Sequence, residues 1–338
     1  MNFTGSHIMS IAQFERQDVE VVFAVADRME PYAHRRRITR VLEGAILGSM
    51  FFEPSTRTRV SFGSAFNLLG GEVRETTGIE NSAIAKGESL YDTARVLSGY
   101  SDVIVMRHPE IGSVSEFAEA SRVPVINGGD GSNEHPSQAL LDLYTIRSEL
   151  AGRNRSVDGL RIAMVGDLRF GRTVHSLCKL LCLFDGVQVS LISPGELAMP
   201  AEITEALRAA GHLVTESDAL EEGIADVDIV YSTRLQEERF ASPEEAAIYR
   251  GRFRLNQQVY TRHCDPNTVI MHPLPRDSRE PARELDDDLN DNPNLAIFRQ
   301  TDNGVLVRMA LFTMILGVED KVDNHARDVG WYTGSRFS

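Results

Sequence analysis

The chain alternates short apolar runs with helical patterns, and one such pair near its start carries the most chemistry. An apolar run covers residues 45–52, and Pro54 and Ser55 then turn the chain. Apolar residues next recur at helical spacing as far as Leu69, and Gly70 follows. This pattern predicts a strand that leads directly into a helix, with Ser55 at the helix cap and Ser-Thr-Arg-Thr-Arg at the junction.

A helix that begins at Ser55 presents free backbone N–H groups and the positive end of its dipole. Thr56, Arg57 and Thr58 add hydroxyl and guanidinium donors around the same point. Such a cluster is suited to bind a phosphate. A capped helix whose arginines form ordinary surface ion pairs explains this stretch equally well by itself, and Arg59 keeps that plain interpretation.

The rest of the first half continues the alternation. The predicted elements are a helix over 17–29, an exposed loop over 73–88, a helix over 89–99, strands over 102–106 and 123–127, and a helix from 136 to 150. Arg107 follows one strand, and His135 and Gln138 follow the next. Because ligands sit beyond the carboxyl ends of parallel strands, we expect these residues and Ser55 to converge on one crevice. Taken alone, His135 would more often be a capping or packing residue.

The second half starts a new alternation after a short polar stretch at 152–158, which indicates a domain boundary. The sequence predicts an α/β fold with two doubly wound domains, each a mostly parallel sheet covered by helices on both faces. The predicted ranges are 1–150 for the first domain, 151–302 for the second, 303–318 for a helix that packs back on the first domain, and 319–338 for a tail. Trp331 and Tyr332 predict that the tail contacts another subunit or protein.

Candidate binding residues of the second half also follow predicted strands, which cover 160–165, 187–192, 227–232 and 268–271. Arg172 starts a helix and suits a carboxylate. Arg234 and Gln236 stand at a strand end and are expected to escape the ion pairing predicted within residues 237–239. Two prolines stiffen the turn His272-Pro-Leu-Pro-Arg, whose carbonyls can accept from a substrate amide.

Composition excludes several classes of function. The chain has 338 residues, a formal net charge of -14 and no apolar run long enough to span a membrane, so we expect a cytoplasmic protein that does not bind nucleic acid. Cys178, Cys182 and Cys264 form no zinc-binding spacing and are expected to be free thiols. No metal or cofactor is predicted. The glycines after residue 165 do not fit GxGxxG, which disfavours a dinucleotide oxidoreductase.

Seven sequence clusters, taken together and in order, resemble the catalytic chains of the aspartate carbamoyltransferase family over about residues 7–318. They are STRTR, KGES, VMRHP, HPSQALLDLY, GDLRFGRTVHSL, TRLQEERF and HPLPR. The wider family includes ornithine carbamoyltransferases, which typically carry HCLP and an SMG segment. This chain has HPLP and TRLQ instead, and two arginines suit a dicarboxylate amino acid.

The resemblance implies roles for individual residues. The carbamoyl phosphate site would comprise Ser55, Thr56, Arg57, Thr58, Arg107, His135, Gln138, the carbonyls of Leu274 and Pro275, and Ser82 and Lys86 of a neighbouring subunit. Thr58, Arg107 and His135 would polarise the substrate carbonyl. L-aspartate would bind Lys86, Arg172, Arg234 and Gln236.

The implied enzyme is a homotrimer with shared active sites, and a higher assembly with a regulatory chain stays open. It would catalyse an early step of pyrimidine (UMP) biosynthesis. Ala85 stands where the family often has a second lysine. Attack of the amine on the carbamoyl carbon makes an oxyanion, and we expect the departing phosphate to take the amine proton. Domain closure would exclude water. Two alternatives remain: a transcarbamylase for another amine such as ornithine, and a non-catalytic homologue.

Overall fold

The structure is a computed structural model and describes residues 1–78, 86–324 and 326–331. The chain divides into two compact units. Unit 1 comprises Met1–Leu140 and Asn303–Ser338, and unit 2 comprises Leu141–Asp302. The sequence places this division at residue 150 instead, because the pattern of the long helix α5 (Pro136–Ala151) ends only there, and the division between the units falls inside that helix.

Unit 1 is built on a four-stranded parallel sheet with the order β3-β2-β4-β5. The strands are β2 (Ile46–Phe51), β3 (Glu72–Thr77), β4 (Val103–His108) and β5 (Val125–Asp130). The helices that lie wholly in this unit are α1 (Arg16–Ala33), α2 (Thr56–Leu68), α3 (Leu90–Leu97) and α4 (Ser113–Ala120). Helix α11 (Ile297–Ile315) contributes Phe312, whose ring meets Phe62 and Phe66 of α2 edge to face in the core.

Strand β3 contradicts the sequence prediction of an exposed loop for residues 73–77, whereas residues 79–85 of that predicted loop lie outside the described residues. It pairs in parallel with β2, with Glu72 opposite Ile46. Its side chains are exposed or half-buried, because among the described strands β3 is an edge strand that has β2 as its one neighbour. An exposed edge strand does not need alternating apolar residues, so hydrophobic periodicity in the sequence does not predict it.

Unit 2 contains a five-stranded parallel sheet with the order β10-β9-β6-β7-β8. Its strands are β6 (Arg161–Val165), β7 (Gln188–Ile192), β8 (Leu213–Ser217), β9 (Ile229–Ser232) and β10 (Val269–Met271). Its helices are α6 (Arg172–Leu181), α7 (Ala201–Ala209), α8 (Leu220–Gly223), α9 (Pro243–Ala247) and α10 (Gln257–His263). The sequence missed β8, another exposed edge strand. The prediction of two parallel sheets packed with helices is confirmed.

The structure describes the tail at residues 319–324 and 326–331. A short 3-10 helix at Glu319–Lys321 leads to β11 (Arg327–Asp328), which pairs antiparallel with β1 (Arg37–Ile38). The Thr39 hydroxyl donates to the carbonyl of buried Val322 at 2.7 Å. The Tyr32 hydroxyl donates to Asp323 at 2.5 Å. The described residues of the tail therefore contact unit 1 of their own chain, and the predicted contact with another subunit or protein stays a prediction.

Within the described ranges, none of the helices has both the length and the apolar character that crossing a membrane requires.

Candidate active site

The start of α2 lies at the carboxyl end of β2, as the sequence predicts. Ser55 occupies the N-cap position in extended conformation, but its side chain makes no capping hydrogen bond. Its hydroxyl instead accepts from the guanidinium of Arg107 at 3.1 Å. The first-turn N–H groups of α2 have no partner within the helix by geometry, and Thr58 is buried beside them whereas Thr56 and Arg57 are exposed. This helix start has the composition of an anion site.

Arg107 is held in place from two sides. It is the penultimate residue of β4, whose register sets it opposite Phe51, the last residue of β2 before the turn to α2. Its Nε donates to Glu53 Oε2 at 2.7 Å, and its Nη1 donates to Ser55. The side chain is only 12% exposed, so its rotamer is constrained by partners and by packing. A guanidinium fixed in this way needs little reorganisation to bind an oxyanion.

His135 and Gln138 are buried at the start of α5, and the loop before them is fastened by Asp130. The Asp130 carboxylate accepts from the backbone N–H groups of Glu134 and Gly112, each at 3.1 Å, and from two asparagine side chains. Asp130 lies opposite His108 in the sheet. The loop that carries His135 therefore depends on a buried carboxylate, which lies at the carboxyl ends of the strands as Arg107 does.

In unit 2, one carboxylate joins two loops that carry candidate residues. Asp167 follows β6, and it accepts from the N–H groups of Phe170 and Gln236, each at 3.0 Å. Asp167 is almost fully buried, and burial raises the pKa of its carboxyl even though these N–H groups oppose that shift. Arg172 is the first residue of α6 and directly follows the loop that Asp167 holds. The carboxylate therefore positions the backbone on which Arg172 and Gln236 are carried.

Arg234 does not escape ion pairing, contrary to the sequence prediction. Its guanidinium donates to both Glu238 oxygens, at 2.5 and 3.0 Å, and to Gln236 Oε1 at 3.3 Å. Glu237 pairs with Arg250 and Arg279, so the expected ion pairing confined to residues 237–239 is also wrong. A short 3-10 helix after Gln236 brings the Glu238 carboxylate next to the Arg234 guanidinium. The spacing of four residues between them is the sequence feature that could have predicted this ion pair.

The turn after β10 has a constrained backbone. Leu274 has φ +58°, a left-handed conformation that costs a branched residue about 1–2 kcal/mol. Its N–H donates to His272 Nδ1 at 2.8 Å, so the ring proton resides on Nε2, which donates to Glu284 at 2.8 Å. Burial lowers the pKa of His272, although the Glu284 carboxylate works in the opposite direction. The ring is held neutral as a support for the turn.

The structure distributes the predicted site residues over the two units. Unit 1 holds Ser55, Thr56, Arg57, Thr58, Lys86, Arg107, His135 and Gln138, whereas unit 2 holds Arg172, Arg234, Gln236, Leu274 and Pro275. Lys86 is exposed, and Ser82 and Ala85 lie outside the described residues. Sequence reasoning missed the carboxylates that position them, namely Glu53, Asp130, Asp167 and Glu284. Only Asp167 stands inside one of the seven clusters, and a lone carboxylate gives no signal by itself.

Two family descriptions match the chain and together span most of its length. "Aspartate/ornithine carbamoyltransferase, carbamoyl-P binding domain" matches residues 6–148, and "Aspartate/ornithine carbamoyltransferase, Asp/Orn binding domain" matches residues 158–315. The gap between the matches, residues 149–157, contains all but the last residue of the polar stretch at 152–158.

Curated relatives and solved structures agree with that assignment. The aspartate carbamoyltransferase catalytic subunit of Saccharophagus degradans is 73% identical and covers 100% of both chains. That of Methanosarcina mazei is 44% identical over 94% of this chain and 99% of its own length.

Among solved structures, aspartate transcarbamoylase of Trypanosoma cruzi in complex with carbamoyl phosphate and aspartate superposes with a TM-score of 0.85. It is 38% identical and covers 93% of this chain and 98% of its own. The catalytic subunit of M. jannaschii aspartate transcarbamoylase gives a TM-score of 0.83 at 43% identity, over 94% and 99% of the two chains. The chain described here therefore belongs to the aspartate carbamoyltransferase family.

Proposed function

We propose that this chain transfers the carbamoyl group of carbamoyl phosphate to the amine of L-aspartate. The products are N-carbamoyl-L-aspartate and phosphate, and the reaction is an early step of pyrimidine synthesis. Its relatives of high identity are aspartate carbamoyltransferase catalytic subunits, and the T. cruzi enzyme has been solved with both substrates. The names of these proteins and the residues of the two units support the same reaction.

The observation that carries the proposal is the arrangement of Arg107 at the start of α2. A guanidinium fixed by Glu53 and Ser55 stands beside a helix N-terminus that offers backbone N–H groups. The phosphate of carbamoyl phosphate suits the helix start and the side chains from Ser55 to Thr58. Arg107, Thr58 and His135 are then the donors for the carbamoyl oxygen.

The chemistry that follows needs donors more than it needs a base. The aspartate amine attacks the carbamoyl carbon, the carbonyl oxygen becomes an oxyanion, and the C–N bond forms before the bond from carbon to the phosphate oxygen breaks. Positioned cationic and hydroxyl groups stabilise that oxyanion. The leaving phosphate takes the proton that the amine loses. We assign His135 the role of a hydrogen-bond donor to the carbonyl oxygen, and not of the base.

The second substrate is a dicarboxylate because unit 2 carries arginines at its candidate positions. Arg172 suits the α-carboxylate, and Arg234 with Gln236 suits the β-carboxylate. Ornithine would present an ammonium group to Arg234, and like charges repel. The same arginines weigh against a non-catalytic homologue.

Three measurements test the proposal. We expect phosphate release from carbamoyl phosphate with L-aspartate and not with L-ornithine, and tight binding of N-phosphonacetyl-L-aspartate, which joins the features of both substrates. Turnover with ornithine alone would contradict the assignment of unit 2. The role of His135 is tested by the pH profile of the rate. If the wild-type rate falls as a group loses its proton at the pH expected for His135, and the His135→Ala variant keeps the same profile, the donor role is excluded.

We propose further that the active unit is a homotrimer in which Ser82 and Lys86 serve a neighbouring site. Lys86 is exposed and lies on the same unit as the phosphate residues, and the resemblance to the family implies that it serves the site of a neighbouring subunit. Mixing inactive Lys86→Gln and His135→Ala proteins after mild dissociation should restore activity, because some sites then receive both native residues. Failure to recover activity, with trimers present by sizing, would contradict sharing. A cytoplasmic location remains a prediction from the sequence.

A further inference from the structure

The turn that follows β10 is fastened on one side by a buried histidine and a buried carboxylate. His272 accepts from the N–H of Leu274 and donates to Glu284, both at 2.8 Å. Glu284 also accepts from the N–H of Asp277, at 3.1 and 3.3 Å to its two oxygens. His272 and Glu284 are 1% and 7% exposed. One carboxylate therefore contacts the residue before the turn and the residue after it.

A second buried chain of hydrogen bonds reaches the same turn from the opposite direction. The side-chain oxygen of Gln300 accepts from the backbone N–H of His272 at 3.0 Å. The amide nitrogen of Gln300 donates to Asp142 at 2.7 Å, and the Tyr231 hydroxyl donates to the other oxygen of Asp142 at 2.7 Å. Asp142 is completely buried, and all four residues belong to unit 2.

Stability alone is a poor explanation for this arrangement. Well-packed apolar residues of similar volume are often as stable as buried charged groups, whose desolvation is expensive. The buried hydrogen bonds instead fix the orientation of the turn, because a hydrogen bond holds the backbone at particular atoms and an apolar contact does not. Both sets of hydrogen bonds end on the backbone of the same turn, at His272, Leu274 and Asp277. The left-handed conformation of Leu274 persists only where its surroundings hold it.

We propose that Glu284 and Gln300 are positioning residues that set the specificity for the carbamoyl group, acting on the Leu274 and Pro275 carbonyls through His272. This inference rests on the proposed function, in which those carbonyls accept from the carbamoyl NH2. Two carbonyls aimed at one amide recognise its N–H groups only while their directions hold. A methyl group in the same place makes no such bond. The turn therefore distinguishes a carbamoyl from an acetyl group.

Acetyl phosphate provides the probe, because it has a methyl group in place of the NH2 and keeps the acyl phosphate. Two variants disturb the turn from its two sides. In Glu284→Gln, the new amide N–H₂ group faces one of the donors of His272 and Asp277. Gln300→Met removes the hydrogen bonds of Gln300 to His272 and Asp142 while the side chain keeps nearly the same length. We expect carbamoyl phosphate to bind roughly tenfold more weakly to each, whereas the dissociation constant of acetyl phosphate stays within about twofold of wild type.

Asp228→Asn is the matched control. Asp228 is a buried carboxylate that precedes β9 and pairs with Arg155 and Arg161, so it lies at the other end of the strand that leads to Arg234. This variant should lower the thermal unfolding temperature and leave the ratio of the two constants unchanged. Thermal unfolding of all three variants shows whether each is folded at the assay temperature, and if one is not, the other turn variant decides.

An equal change in both constants would overturn the proposal, because a turn that is only structural affects both ligands alike. Unchanged constants in folded Glu284→Gln and Gln300→Met would also overturn it. Binding is measured by equilibrium dialysis, which does not require turnover. If the wild-type chain binds carbamoyl phosphate but does not carbamoylate aspartate, the proposed reaction fails while the ratio of constants still decides the role of the turn.

Discussion

The candidate residues of unit 1 and unit 2 are positioned by different means. In unit 1, Arg107 is the penultimate residue of β4 and α2 starts beside it, so the parallel register of β2 and β4 brings them together. In unit 2, Gln236 and the residues around Phe170 stand on irregular loops that a single carboxylate, Asp167, joins. Sheet hydrogen bonds are many and cooperative, whereas two loops held by one side chain depend on that side chain.

This difference indicates which substitutions each half tolerates. The sheet that carries Arg107 in unit 1 survives the loss of any one functional side chain, so we expect that loss to appear in the chemistry. In unit 2 we expect the loss of Asp167, which is not itself a candidate binding residue, to displace candidate residues. The predictions below test this contrast in order of expected effect.

Arg107→Ala should have the largest effect. Removal of one oxyanion donor lowers kcat by about 10²–10³-fold. The unfolding temperature should change little, because the strand remains paired on both sides. Arg40→Ala is the control, since this arginine makes an exposed pair with Glu43. Steady-state rates and thermal unfolding measure both effects, and a collapse of stability in Arg107→Ala would remove the contrast.

Asp167→Ala should raise the KM for aspartate by roughly 10–100-fold, because two backbone N–H groups lose their acceptor and the loops separate. Asp167→Asn keeps one acceptor and should fall between this variant and wild type. Carbamoyl phosphate should bind with unchanged affinity, since its phosphate residues lie in unit 1. An equal loss of affinity for both substrates would show that the two halves are not positioned independently.

Truncation after Val318 tests the stability of unit 1 alone. It removes buried Val322, the bond from Thr39 and the pairing of β11 with β1. We expect the unfolding temperature to fall by about 5 °C, with kcat retained at 25 °C. Truncation after Trp331 is the control and should change nothing. A smaller assembly on sizing would support the contact with another subunit that the sequence predicts.

The smallest effect concerns pH and the bond between Tyr32 and Asp323. Burial and the Asp323 carboxylate raise the pKa of Tyr32 to about 12, above its ordinary value near 10. The stabilisation is therefore complete below pH 10 and is lost as the pH rises toward 12. Relative to Tyr32→Phe, wild type should lose about 2 °C of unfolding temperature over this window. Parallel curves for the two proteins would contradict the assignment.

Because burial on both faces demands continuous apolar runs and helices demand a 3.6-residue period, the sequence predicted the buried strands and most of the helices, although it missed α4 and α10. It failed at β3 and β8, where an exposed edge relaxes the pattern. It predicted Arg107, His135 and Arg234 as candidate residues because they follow strands. It assigned Arg234 the wrong surroundings, because Glu238 approaches only through a turn that the pattern does not show.

The sequence by itself therefore determined the alternation of strands and helices and the chemical character of each strand end. Only the tertiary structure decided what holds those ends in place. Asp130, Asp167 and Glu284 accept from donors that stand at irregular separations along the chain, such as Gln236 for Asp167. Burial gives such contacts their strength, and burial belongs to the folded molecule. The periodicity of a sequence records which face of an element is buried, and it carries no record of which buried donor finds which acceptor.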